Sequence, residues 1–247
     1  MTTLIRDEHD VDGIMLARAC AAGYHRAVVG TVVLRRIIAV GSSIKRSLGK
    51  PRVWVGADPG GKGAFGVAII GDGKEPQSVL VDCAAQAIAF LRDALARPAS
   101  GVGVDAPLWW SSGRSSDRHA DQWLRKRYSL TGGRVQAANS LRGAALVQAA
   151  MFVHGVRELF PDVPVTEAHP KVLLKAVARD SWRAFSRKYQ IHASAPVEHV
   201  RDAMIAAVAA REGVSGRWSN DLALERLPDE QDPFTYWLRP VHYYWPE

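Results

Sequence analysis

The stretch RVWVGADPGGKGAFGVAII, residues 52–70, decides the fold class. Apolar residues dominate up to Asp58, a glycine-rich turn follows at 59–63, and a second apolar run occupies 64–70. Two apolar runs joined by a short glycine-rich turn are typical of a β-hairpin. The sequence therefore predicts two antiparallel strands, with the carboxylate of Asp58 at the end of the first strand.

The elements that follow the hairpin indicate a mixed sheet. We expect further elements in this order: a strand at 78–84, a helix before Pro98, a strand at 101–109, a helix from 139 or 140 to 161, a strand at 164–170 and a helix at about 197–211. Three successive strands followed by alternating helices and strands predict an antiparallel meander that continues through right-handed crossovers into parallel strands. The expected fold class is α/β, and ligands are expected at the carboxyl ends of the parallel strands.

The composition divides the chain of 247 residues into an N-terminal extension and one domain. Residues 1–50 show no convincing apolar period and lead into a linker, GSSIKRSLGKP, at 41–51. This extension is interpreted as outside the core: a regulatory tail, an interfacial amphipathic segment, or sequence translated upstream of the true start. Residues 51–247 are predicted to form a single domain, whose aromatic C-terminal tail is expected to cover the core.

Charge and cysteine content exclude several classes of function. Four of the seven net positive charges lie in residues 1–50, so the total charge says little about the domain surface. Cys20 and Cys83 stand alone, which excludes a cysteine-zinc framework and favours a reducing, cytoplasmic setting. The apolar stretch at 27–41 contains Arg35 and Arg36, so no membrane association is expected. The oligomeric state is left open.

Four acidic residues lie where the predicted fold brings strand ends and one helix together. Asp58, Asp105 and Glu167 stand at or near the ends of apolar strands. Asp202 lies in the helix EHVRDAMIAAVAAR, whose alanines allow a close approach to the sheet. Clustered carboxylates repel unless they bind a cation, and oxygen ligands select hard cations. We expect all four to hold Mg²⁺ or Mn²⁺, with two ions clamping a phosphodiester for attack by water. His199, one turn before Asp202, is a further ligand or a proton shuttle. Each acid taken singly is also compatible with a structural role.

A basic segment, GRSSDRHADQWLRKRY at 113–128, is the best candidate for contact with RNA or DNA. Basic side chains neutralise phosphates, and the interleaved aromatic rings can stack on bases. The alternative is a solvated helix in which Trp123 and Leu124 pack inward and Arg118 pairs with Asp121. The expected nucleic-acid-binding residues are Arg114, Arg118, Arg125, Lys126 and Arg127.

Two further features give weaker signals for phosphate binding. The segment from Lys171 to Lys188 contains six basic residues and one acid, Asp180. This patch follows Glu167 in the chain and would flank it, although a solvated helix face is the alternative. The glycines around Lys62 could cradle a phosphate, although a hairpin turn explains them equally well. The spacing of a Walker motif is absent, and we expect no small-molecule organic cofactor.

Taken together, these motifs resemble a domain-of-unknown-function family of predicted ribonuclease-H-like nucleases. The resemblance rests on the Asp58 strand with its hairpin, GVDAPLW, RHADQWLR, TEAHP and HVRDAMIAAVAA, and runs from about Arg52 to Arg211. It implies a ribonuclease-H-like sheet, a divalent-metal site and nuclease activity, with Asp58, Asp105, Glu167 and Asp202 at the acidic positions. Two departures stand out: His199 replaces a residue that is often acidic in related sites, and His169 replaces an aromatic residue. Either departure would weaken the second metal.

Two other classes of function remain open at this point. One is a non-catalytic module that binds nucleic acid or protein on the same fold, which His199 favours. The other is an actin-like phosphotransferase, because such enzymes share this sheet and a similar glycine-rich hairpin. That fold duplicates the sheet, however, and the residues after the linker contain a single copy.

Overall fold

A mixed sheet of five strands forms the centre of the structure. Its strands are β1 (Val53–Asp58), β2 (Phe65–Gly71), β3 (Lys74–Val81), β4 (Gly101–Val104) and β5 (Val165–Glu167), in the order β3-β2-β1-β4-β5. The first three strands form an antiparallel meander, whereas β4 runs parallel to β1, and β5 runs parallel to β4. The predicted fold class, an α/β fold in which an antiparallel three-strand meander continues into parallel strands flanked by helices, is confirmed. Within the described part of the chain this sheet occurs once, whereas the phosphotransferase alternative needs two copies.

The computed structural model describes residues 52–113, 117–138, 141, 143–193, 197–231, 238 and 240–247. Ser47–Glu247 form one compact unit. The predicted extension at 1–50 lies outside the described residues, and so do Arg114 and three aromatic residues of the tail, Phe234, Tyr236 and Trp237. Their predicted roles stay predictions.

Six α-helices are present among the described residues. They are α1 (Ala84–Ala94), α2 (His119–Tyr128), α3 (Gly143–Leu159), α4 (Pro170–Ala178), α5 (Trp182–Lys188) and α6 (Glu198–Val214). Helices were predicted at α1, α3 and α6, whereas α4 and α5 were missed, and for α2 a helix was only the alternative. In the part of the chain that the structure describes, no helix is long and apolar enough to cross a membrane.

Two predicted strands are shorter than expected because proline cannot continue a hydrogen-bonded ladder. The strand predicted at 101–109 ends at Val104, three residues before Pro107. The strand predicted at 164–170 ends at Glu167, because Pro170 begins α4. Proline suits the first helical turn, where its missing N–H has no intrahelical partner. Both corrections place an acidic residue, Asp105 or Glu167, at the end of its strand or directly after it.

α6 packs directly against the sheet because glycines on the strands remove the side chains that would keep it away. A Cβ atom at Gly56 of β1 would overlap the carbonyl oxygen of Ala203, and one at Gly103 of β4 would overlap that of Ala206. Gly66 of β2 makes the same close approach to His199. The buried alanines of α6 complete this contact from the helix side. The N-terminal half of α6 therefore lies close to the ends of β1 and β4.

The C-terminal tail packs beside the last strand of the sheet. Two residues of the tail, Tyr243 and Trp245, are fully buried. The backbone of His242 pairs with β5, donating from its N–H to the oxygen of Val165 and accepting from the N–H of Glu167, at 2.9 and 2.8 Å. A short antiparallel pair, β6 (Asn220–Asp221) and β7 (Tyr244–Trp245), anchors the end of the chain. The tail therefore fixes the backbone that carries Glu167.

Candidate metal centre

Three aspartates converge at the carboxyl ends of the two central parallel strands. Asp58 is the last residue of β1, Asp105 directly follows β4, and Asp202 lies in the first half of α6. One carboxylate oxygen from each lies within 4.8 Å of the others. The N–H of Asp105 donates to the oxygen of Ala57 at 2.8 Å, which holds the two strand ends in register. The glycine contacts that press α6 onto β1 and β4 bring in the third carboxylate.

The surroundings of these aspartates disfavour their charged forms. Burial raises the pKa of Asp58 to about 7, with Asp202 adding to the rise and His199 opposing it. Burial, followed by the charges of Asp58 and Asp202, raises the pKa of Asp105 well above its usual value of 3.8. Burial also raises the pKa of Asp202, which Arg201 partly offsets. Without a cation, the folded protein therefore favours protonation of this cluster.

The hydrogen-bond partners of the three aspartates differ. Asp58 accepts from Nδ1 of His199 at 2.7 Å, and Asp202 accepts from Nε of Arg201 at 3.0 Å. For the carboxylate of Asp105, the described residues supply no hydrogen-bond donor. Three convergent carboxylate oxygens, one of them on a group without a donor, form an oxygen-only ligand set that suits a hard divalent cation. The cluster therefore fits the divalent metal that the sequence predicts, without distinguishing Mg²⁺ from Mn²⁺.

Glu167, the fourth predicted ligand, is held by an arginine. Both of its carboxylate oxygens accept from Arg118, each at 2.7 Å, and one of them also accepts from the N–H of Leu108 at 3.0 Å. Among the described residues, the only group of three ligating side chains close enough to share an ion is Asp58, Asp105 and Asp202. The structure therefore brings three of the four predicted acids together and places Glu167 beside them with a different partner. Its role as a metal ligand stays a prediction.

His199 contacts the cluster through Asp58. When the Asp58 carboxylate is ionised, it accepts from Nδ1 of His199, and Nε2 of the neutral imidazole is then an acceptor. The side chain is 41% exposed. This position agrees with the predicted proton shuttle, and that role stays a prediction.

The predicted nucleic-acid-binding residues lie on or just before α2, in very different surroundings. Arg118 is buried and pairs with Asp121, as the alternative interpretation of this segment expects. Arg125 pairs with Asp117 at 2.6 Å and donates to the oxygen of Val135. Lys126 and Arg127 are exposed. Of the described residues in this set, only these last two present their charge to solvent.

A cavity of about 560 Å³ opens over the carboxylates. Its walls include Arg134, Gln136, His169 and Lys171. The sequence had marked His169 as a departure from the family motif and Lys171 as part of a basic patch, whereas Arg134 and Gln136 were missed. A second cavity of about 250 Å³ shares Arg134 and Lys171 with the first. Its lining adds Lys175, one acid, Asp180, and the hydroxyl residues Ser129 and Thr131. We call these two cavities together the basic groove.

The basic residues of this groove were detectable only in part. Lys171 and Lys175 belong to the second basic patch of the sequence, which was expected to flank Glu167. Arg134 lies beyond the basic segment in a loop, where no periodicity marks it. Burial lowers the pKa of His169 to about 4, so this residue is neutral and contributes no positive charge.

Comparisons with known proteins leave the family of this chain unassigned. No family model matches the chain, and no curated protein matches it. Among solved structures, that of RuvC from Thermus thermophilus is similar, with 12% sequence identity over 68% of this chain and 97% of that chain and a TM-score of 0.38. This likeness is too distant to carry an argument about function. The family resemblance suggested by the sequence therefore stays a prediction.

Proposed function

We propose that this protein is a metal-dependent nuclease that hydrolyses phosphodiester bonds in nucleic acid. The observation that carries the proposal is the convergence of Asp58, Asp105 and Asp202 beside an open cavity whose walls also carry the basic residues Arg134 and Lys171. An acidic cluster of this kind binds a divalent cation, and basic walls attract a polyanion. A small neutral substrate would not need the second feature.

The three aspartates would hold the cation, which is Mg²⁺ or Mn²⁺ by the chemistry of its ligands. A divalent cation at such a site neutralises charge on the phosphoryl oxygens and lowers the pKa of water. Asp58 also orients His199, whose Nε2 would accept the proton that the attacking water loses, while the leaving oxygen takes its proton from solvent. Removal of the cation with a chelator should therefore leave the fold intact and abolish hydrolysis.

The basic groove would hold the nucleic-acid backbone. Arg134 and Lys171 line both cavities, so a strand whose scissile phosphate lies at the carboxylates passes these two side chains first. Lys171 also pairs with Glu198 at 2.8 Å, and both side chains are 55% exposed, so this pair is readily exchanged for a phosphate. Lys175 lies further along the groove and has no acidic partner among the described residues. RNA, DNA and hybrid substrates all present these phosphates.

The alternative is a non-catalytic module that binds nucleic acid or protein. The observation in its favour is that three of the four predicted acids already have basic partners: His199 for Asp58, Arg201 for Asp202 and Arg118 for Glu167. If these pairs replaced the metal altogether, the groove would bind without cleaving. Metal binding separates the two proposals.

The proposal is tested by incubating the protein with end-labelled single-stranded and double-stranded DNA, RNA and an RNA–DNA hybrid. We expect cleavage of at least one substrate with Mg²⁺ or Mn²⁺ and none with a chelator. Asp105→Asn should abolish cleavage, whereas the exposed Asp93→Asn, the same chemical change on α1, should leave it unaltered. Substrate binding without cleavage, equal in both variants and independent of metal, would favour the non-catalytic module instead.

A further inference from the structure

We infer that the metal centre holds a single divalent cation, because the buried guanidinium of Arg118 binds Glu167 and takes the place of a second one. The inference rests on the proposed function and assigns Arg118 a positioning role that the sequence did not suggest. Glu167 is the one predicted ligand that the converging group leaves out, and it is therefore the acid expected to bind a second ion.

The pair between Arg118 and Glu167 is buried and bidentate. The Arg118 side chain is 1% exposed and that of Glu167 is 4% exposed. Nη1 donates to Oε2 and Nη2 donates to Oε1, both at 2.7 Å. Two parallel charged hydrogen bonds in this geometry are among the strongest polar contacts in proteins. Because both side chains are almost fully buried, solvent competes little for their charges.

Asp121 completes the coordination of the guanidinium from the opposite side. Arg118 donates from Nε to Oδ2 of Asp121 at 2.9 Å and from Nη2 to Oδ1 at 2.7 Å. Four of the five N–H bonds of the guanidinium are therefore directed at carboxylate oxygens. Every carboxylate oxygen of Glu167 and Asp121 accepts at least one of them. The guanidinium therefore lies between the two carboxylates, in the position that a metal cation shared by them would take.

The surrounding structure fixes this arrangement. The guanidinium lies 4.3 Å from the centre of the Trp109 ring, which covers one of its faces. The backbone N–H of Leu108 donates to Glu167, and the backbone N–H of Arg118 donates to Asp121 at 3.2 Å. Glu167 could reach an ion beside Asp105 only by releasing Arg118, which would leave a buried charge with one partner fewer.

The direct test is to count the ions bound by the wild-type protein. Mn²⁺ titration followed by electron paramagnetic resonance or calorimetry should give one equivalent per chain. Two equivalents would overturn the inference and leave the proposed function intact. No bound Mn²⁺ at all would overturn both, so the two failures are distinguishable.

Two matched variants test the role of Glu167 separately. Asp105→Asn should lower Mn²⁺ affinity by at least about tenfold, because it removes a ligand. Glu167→Gln should change it by less than that, because the wild-type carboxylate is already bound to Arg118. Equal losses in the two variants would show that Glu167 is a ligand and would refute the inference. If Glu167→Gln does not fold, the ion count of the wild type still decides the question.

Discussion

Replacing Asp105 with asparagine should stabilise the metal-free protein at neutral pH. Burial and the charges of Asp58 and Asp202 raise the pKa of Asp105 well above 3.8, and no donor among the described residues contacts its carboxylate. A carboxyl group whose pKa is raised by folding favours the folded state below its unfolded pKa. That contribution is lost as the pH rises through the folded pKa. Asparagine has nearly the same shape and no proton to lose.

The size of the expected stabilisation is limited by the raised pKa of Asp105. One pKa unit corresponds to 1.36 kcal/mol, so the penalty between pH 3.8 and pH 7 is at most about 4 kcal/mol. We therefore expect Asp105→Asn to raise the free energy of unfolding at pH 7, by no more than about 4 kcal/mol. In a domain of this size that raises Tm by about 2 to 4 °C for each kcal/mol. At about pH 4.5 most of the gain should disappear.

The assay is urea or thermal unfolding in the presence of a chelator at both pH values. Asp93→Asn, on the exposed face of α1, is the matched control and should have little effect at either pH. Asp58→Asn should gain less than Asp105→Asn, because it also loses the hydrogen bond from His199. Destabilisation by Asp105→Asn at pH 7, or an equal gain at both pH values, would refute the reasoning.

Three further outcomes are expected. Mn²⁺ affinity should rise by about tenfold or more per pH unit up to about pH 7, because the metal displaces the proton of Asp58 and any proton held by the other two aspartates. Calorimetry that shows no pH dependence would argue against this. Lys175→Ala should weaken binding of a nucleic acid and lower the slope of log affinity against log salt by about 1, because one fewer phosphate is neutralised. The control Lys74→Ala, at the opposite end of the sheet, should leave that slope unchanged. Gly103→Ala should destabilise the protein by about 3 kcal/mol or more in chemical denaturation, because the new Cβ would overlap the backbone of Ala206. A variant as stable as wild type would show that the packing of α6 does not need this contact.

The sequence predicts best those elements that a clear pattern of apolar residues and turn residues marks. The hairpin at 52–70 has apolar runs and a glycine turn, and it is present as β1 and β2. α4 was missed because Pro170 was taken as the end of a strand, whereas in the structure it is the first residue of a helix. α5 is a short helix of seven residues, too short for periodicity to mark it.

The candidate site was predictable where it depends on topology. The carboxyl ends of neighbouring parallel strands meet at one edge of a sheet, which is sufficient to bring Asp58 and Asp105 together. The partner of Glu167 was not predictable, because Arg118 lies 49 residues away and meets it only when the chain before α2 lies at the end of β5 in the folded protein. Sequence spacing predicted only the local half of that network, the pair with Asp121.

The central claim, that Asp58, Asp105 and Asp202 form a metal site, is tested most directly by anomalous diffraction from a crystal soaked with Mn²⁺. We expect one anomalous peak, about 2.1 Å from a carboxylate oxygen of each aspartate, with Glu167 still bound to Arg118. A soaked crystal that diffracts well and shows no peak among the three aspartates would contradict the account.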